Sequence, residues 1–188
     1  MGTEAIDLKE QTSGGSKRRR RDICLGLTLA GASLGMLSLL PSTPVFVWNH
    51  SGSVAIGLYS IAHRPPAKGD IIVIAPSGAL RETLEAYGAL PPSHLLLKQL
   101  AAASGDTVCR THEAIAINGI RSAIARTATH DGLALPAWSG CRRLGENDVL
   151  VLTQHQGSFD SRYFGPISAD QIVGVAHPIV TLSSEEAR

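Results

Sequence analysis

Aromatic side chains are scarce in this sequence, 4% of 188 residues, and net charge is nearly absent, +1 at pH 7. The first scarcity leaves no obvious exposed recognition patch. The second leaves no overall field to attract nucleic acid or acidic partners, so nucleic acid is not an expected ligand. Cysteines number three. None has a CxxC partner, and the seven histidines show no HExxH spacing; neither common zinc pattern is present, and no metal or cofactor is implied. The length suits one domain with a real core and is too short for two large ones.

What charge there is lies concentrated at one place. Lys17 to Arg21 reads KRRRR, and Ile23 to Leu40 follows as eighteen residues without a charge. A helix of that length spans roughly 27 Å, close to a hydrocarbon core of roughly 30 Å. The reading is therefore a basic cytoplasmic tail over 1–22, a single transmembrane anchor over 23–40 and an exported domain over 41–188. The basic cluster stays on the cytoplasmic side, which in a bacterium sets the domain in the periplasm, on the inner membrane. A cleaved secretory signal begins in the same way. Against it, the one Ala-x-Ala, Ala30 to Ala32, lies inside the apolar run, and Pro41 and Pro44 follow. Met1 to Ser16 reads as a disordered tail.

Cys24 falls within the apolar run, which leaves Cys109 and Cys141 in the exported part. In an oxidising compartment two such thiols are expected to pair; two separately buried cysteines are the alternative.

Past Pro44 short apolar runs are broken by Gly, Pro, Asn and Asp, the pattern of a mostly β domain. Strands are expected at Asp70–Ala75, Asp148–Thr153 and Gln171–Leu182, the last interrupted at Pro178. Asn118-Gly119 between Ala114–Ile117 and Ile120–Ile124 signals a tight hairpin. Gly78–Gly88 has helical spacing and reads as a short helix or lid-like insertion. Ser93–Ala103 also scores as a helix by propensity, with Ser93 as its cap.

Three short segments carry candidate chemistry. Ser51-Gly52-Ser53 offers hydroxyls beside a glycine that lets backbone approach a carbonyl, though such triplets are common in loops. Lys98, in HLLLKQLAAA, is the one charge between Glu85 and Asp106. A lysine so surrounded is either a desolvated base or a stem lying on apolar surface with its head in water. In SFDSRYFGP, Ser158 to Pro166, Asp160 and Arg162 stand two apart, suited to a buried pair or to a solvated surface turn.

Taken in order, an anchor, SGSVAIGLY, LLLK with SGDTV after it, and SFDSRYFGP, the chain resembles the type I signal peptidase family of serine proteases, and within it the TraF-type peptidases of plasmid conjugation. The resemblance implies a mostly β, signal-peptidase-like domain on a single N-terminal transmembrane helix, with Lys98 on a strand despite its propensity. It implies Ser53 as nucleophile, Lys98 as general base, Ser51 as an oxyanion donor beside the Ser53 N–H, and Asp160, with Ser158 and Arg162, as support for the lysine. The implied partner is a membrane-bound pilin precursor or another signal-peptide-bearing protein, met at the bilayer. The sequence departs from the family at Ala55, where a proline commonly stands, and at Gln154–Gly157, QHQG in place of a Gly-Asp-Asn run. Rival readings are a Ser53/His155/Asp160 triad, a housekeeping signal peptidase, and an anchored assembly component without activity.

Overall fold

The computed structural model of the chain describes residues 19, 21–28, 31, 44–91 and 93–182. The chain divides into two units, Met1–Ser42 and Thr43–Arg188. Within the first, residues 21–28 are helical and exposed. Most of the expected anchor and the expected disordered tail lie outside the described residues, and among the described residues no helix is long and apolar enough to cross a membrane.

Among the described residues the second unit is built, besides a 3-10 turn at Ala169–Gln171, from eleven strands and two short α-helices. In chain order these are β1 (Phe46–Asn49), β2 (Gly57–Ala62), β3 (Ile71–Ile74), α1 (Gly78–Ala86), β4 (Leu96–Ala102), β5 (Thr107–Thr111), β6 (Ala114–Ile117), β7 (Ile120–Ile124), β8 (Gly140–Arg143), β9 (Asp148–Val151), α2 (Ser161–Phe164), β10 (Ile167–Ser168) and β11 (Ile172–Thr181). Seven strands form one sheet in the order β1-β2-β11-β3-β4-β9-β10, and four form another, β7-β6-β5-β8. Every pairing is antiparallel. The mostly β expectation therefore holds.

The helix expected over Ser93–Ala103 is not present: Leu96–Ala102 is strand β4, as the family resemblance implies. The reason is burial on both sides. Leu96 and Leu100 pack into one core cluster with Ile72, Ile74 and Val151, while Leu97 enters another with Tyr59, Ile61 and Val73. A strand covered on both faces carries apolar residues almost continuously, and that run scores as helix when read alone. Ser93 begins no helix; its φ is 62°, in the left-handed region.

Elsewhere local chemistry and structure agree. Asn118 and Gly119 take φ of 51° and 81°, the doubly positive turn that joins β6 to β7. Leu80 and Leu84, one helical turn apart on α1, both pack into the first core cluster. Pro178 leaves β11 whole, and the interruption expected there is a shift of register against β2 between Pro178 and Val180. At Gly57 a Cβ would lie 2.1 Å from the Val180 carbonyl oxygen. Only glycine lets β2 and β11 close at this end.

Candidate active site

Ser53 lies on the loop between β1 and β2, and Lys98 points from the middle of β4 toward it. Lys98 Nζ is 2.5 Å from Ser53 Oγ and 2.7 Å from Ser158 Oγ, and the two hydroxyl oxygens are 3.1 Å apart. Three residues drawn from three segments thus close a small polar triangle. The lysine is 2% exposed, on the β4 face that also carries Leu96 and Leu100. Burial pulls its pKa from 10.5 to about 8. Attraction to Asp160 opposes that fall, and repulsion from Arg162 adds to it. An amine titrating there is substantially neutral in mildly alkaline solution, and a neutral amine has a lone pair with which to take a hydroxyl proton.

Asp160 and Arg162 form a buried ion pair behind this triangle. Arg162 Nε donates to Asp160 Oδ1 at 2.7 Å and Nη2 to Oδ2 at 3.0 Å, a two-pronged contact. The carboxylate also accepts the backbone N–H groups of Arg162 and Thr153, each at 3.1 Å. Asp160 stands at the N-cap of α2 in extended conformation, and this bend, more than an alternating strand, brings the two side chains together. The guanidinium reaches on to the carbonyl of Thr153 at 2.7 Å and that of Gln156 at 3.4 Å. It thereby holds the 153–156 turn from which Ser158 follows. Neither Asp160 nor Arg162 touches Lys98; they act on it by charge and by placing Ser158.

Ser51 is placed differently from an idle oxyanion donor. Its hydroxyl donates to Asn49 Oδ1 at 3.0 Å, and its backbone N–H donates to the same oxygen at 3.2 Å. Asn49 is a residue that reading the sequence missed. It is buried at the end of β1, and its Nδ2 donates to the carbonyls of Ser51, Val54 and Ala55 at 2.9 to 3.0 Å. Tyr59 adds a hydrogen bond from its hydroxyl to the Ala55 carbonyl at 2.7 Å. The Ser53 loop is thus pinned by two side chains. The available signal was an asparagine two residues before a serine, the spacing of an Asx turn.

His155 sits at the rim with an exposed side chain, and among the described residues its ring makes no hydrogen bond to Ser53 or Asp160. Asp160 is fully occupied by Arg162 and Thr153, so a triad through these residues is not assembled. Cys109 on β5 and Cys141 on β8 stand directly opposite each other and are joined by a disulfide in the four-stranded sheet. Among the described residues no three His, Cys, Asp or Glu side chains converge as a metal site would require.

The triangle opens onto a cleft of about 410 Å³. Trp48 and Asn49 line one side, the Gly88–Pro91 turn after α1 another, and Leu95 to Leu97, His155 and Phe159 complete it. A family model described as "Signal peptidase, peptidase S26" matches residues 22–181. The chain belongs to that family of serine peptidases. Within it the relatives are of TraF type. A "Plasmid transfer protein TraF" of Escherichia coli is 32% identical over 71% of this chain and 81% of its own length. A "Probable conjugal transfer protein TraF" of Sinorhizobium fredii is 31% identical over 94% of this chain and 97% of its own. Among solved structures, a signal peptidase I of Enterococcus faecalis matches 61% of this chain and 98% of its own, with 19% identity and a TM-score of 0.35.

Proposed function

We propose that this TraF-type protein is a membrane-anchored serine endopeptidase of conjugative transfer that cleaves a pilin precursor with a Ser53/Lys98 dyad. The observation that carries the reading is a buried amine, its pKa lowered to about 8, at 2.5 Å from a serine hydroxyl on the wall of an open cleft. Neutral Lys98 takes the Ser53 proton as Oγ attacks the peptide carbonyl, and the lysinium returns that proton to the leaving amine. The product is an acyl-enzyme on Ser53. Water resolves it to a free carboxylate, or the pilin's own amino terminus resolves it to a cyclic product.

The oxyanion formed in attack is to be met by the Ser53 N–H and the Ser51 hydroxyl. In the free site that hydroxyl points at the neutral Asn49 carboxamide. A developing anion is the stronger acceptor and draws the hydroxyl away, at about twice the strength of a neutral hydrogen bond. Ser158 keeps the lysine aimed at Ser53, and Asp160 with Arg162 keeps Ser158 in place.

A membrane-bound substrate is supported by the exposed apolar face of the sheet edge. Phe46 and Trp48 on β1, and Val180 on β11, are 59%, 54% and 58% exposed, and Trp48 also lines the cleft. Large apolar side chains displayed together mark a contact surface. On this reading the protein is anchored in the inner membrane with its N-terminus cytoplasmic and works on the periplasmic side, where a tethered precursor presents its scissile bond.

The deciding experiment is the intact mass of the candidate pilin precursor after co-expression with the protein, and with its Ser53→Ala and Lys98→Ala variants. Shortening by the unaltered protein that disappears in both variants is the expected result, and a further loss of one water reports joined ends. Shortening that persists in either variant overturns the dyad.

A further inference from the structure

On the other side of the loop that bounds the cleft lies a second concavity, of about 330 Å³. Its wall includes Arg121 and Ile124 of β7, Arg126 just beyond that strand, Gln154, Gln156 and the edge of Arg162. Arg162 is matched by Asp160, whereas the side chains of Arg121 and Arg126 have no hydrogen bond or ion pair among the described residues. No acidic residue lines the hollow. Two guanidinium groups with all their donors unspent, facing a hollow that also holds two exposed carboxamides, fit carboxylate groups.

We propose that this hollow binds an acidic segment of the polypeptide substrate, lying extended beside β7. Three observations favour a peptide over another anion. β7 is the outer strand of its sheet, so apart from the Ile124 carbonyl, which accepts from Arg162 Nη1 at 3.5 Å, one side of its backbone is open to a further strand, and main-chain hydrogen bonds add to those of the arginines. Gln154 and Gln156 of the separating loop line this hollow, and His155 and Gly157 of the same loop line the cleft beside Ser53. A chain seated in the cleft crosses one loop to reach the arginines. β7 also shows Ile120 and Ile124, 72% and 56% exposed, apolar surface beside the arginines that a peptide covers and a free inorganic anion does not.

The inference rests on the peptidase reading for the identity of the peptide, and its test reads binding separately from cleavage. The full chain carrying Ser53→Ala is titrated against labelled peptides with a small-residue bond and a run of glutamates on one or the other side of it, and against the same peptides with glutamine in place of glutamate. One glutamate peptide is expected to bind about tenfold more tightly than its glutamine twin, and Arg121→Gln with Arg126→Gln is expected to erase the difference. With Ser53 restored, the double variant is expected to raise KM for that peptide by a similar factor and leave kcat and the glutamine peptide unchanged. Equal binding of the twins overturns the proposal, as does a preference that survives the double substitution. Binding of phosphatidylglycerol vesicles or inorganic phosphate that depends on the two arginines, without any peptide preference, overturns it in favour of a phosphate site. If the unaltered protein cleaves neither peptide, the peptidase reading fails by itself, while the binding comparison still decides the role of the arginines.

Discussion

A lysine held below its ordinary pKa by burial has two measurable consequences, one for catalysis and one for stability. With the amine titrating at about 8, activity with a neutral substrate is expected to rise through that pH and level off above it; a rate independent of pH across this range removes Lys98 as the base. Lys98→Arg is expected to be inactive, because a guanidinium stays protonated, and steady-state cleavage assays check both. For stability, the unfolded chain binds the lysine proton up to pH 10.5 and the folded one only to about 8. Between these values the unfolded state holds more protons, so stability rises with pH across that window and the full penalty is felt below it. A shift of this size corresponds to about 3 kcal/mol. Lys98→Met, which fills the same volume without charge, is therefore expected to unfold at higher denaturant than the unaltered protein at pH 7, with the gap closing toward pH 10.5. Asn49 offers a third case. Asn49→Asp keeps the acceptor for Ser51 and loses the two donors that serve three carbonyls. Its kcat is expected to fall about a hundredfold with KM little changed, since misplacing a nucleophile by about an ångström has that effect.

At the level of elements, the site depends on two that the chain alone advertises unequally. The Asp160 to Arg162 stretch is legible in part, because a carboxylate, a serine and a guanidinium crowd into three residues, a pattern that fits a buried network and a solvated turn alike until burial decides. β4 is not legible as a strand. Leu96 to Ala102 consists of good helix formers, and only the neighbours β3 and β9, remote in sequence, force it to extend. Strands β5 and β8 are obscure for another reason. Thr107–Thr111 and Gly140–Arg143 have little apolar alternation, since one side is covered by the core around Val108, Ile115 and Leu144 and much of the rest is exposed. The arginine hollow could not be read at all, for Arg121, Arg126 and Gln154 meet only through tertiary folding. The α2 network makes a testable unit: removing one partner leaves the other charged, buried and unpaired. Asp160→Ala or Arg162→Ala is each expected to cost about 3 to 5 kcal/mol, and the two together much less than their sum. Equilibrium unfolding of the four proteins in a double-mutant cycle measures the coupling.

Across the whole folded unit the two sheets are tied in different ways, and this decides which perturbations reach the site. Arg110 of β5 donates to the Arg162 carbonyl, Trp138 Nε1 to the Ser161 carbonyl at 2.9 Å, and the Arg126 N–H to the Tyr163 hydroxyl at 3.1 Å. All three converge on α2, so β5 and the segment between β7 and β8 reach the candidate site through that turn of helix, beside the core that the two sheets share around Ala102, Leu150 and Leu152. The Cys109–Cys141 bond closes a loop of 32 residues within that sheet. In the chain-entropy view such a closure is worth roughly 3 to 4 kcal/mol. Reduction is accordingly expected to lower overall stability by about that amount and to lower activity only where α2 loosens with its sheet. The apolar face responds to a different agent. If Phe46, Trp48 and Val180 meet the bilayer as proposed, the emission of Trp48 shifts to the blue when lipid vesicles are added to the protein, and Phe46→Ser with Val180→Ser weakens that response. Trp138 is partly buried and already bonded to Ser161, so it supplies a constant background, and a Trp48→Phe control assigns the shift. No shift on adding lipid would detach this face from the membrane and leave the proposed dyad unaffected, because Lys98 and Ser158 are buried and the amine meets Ser53 through contacts that the outer face of β1 does not share.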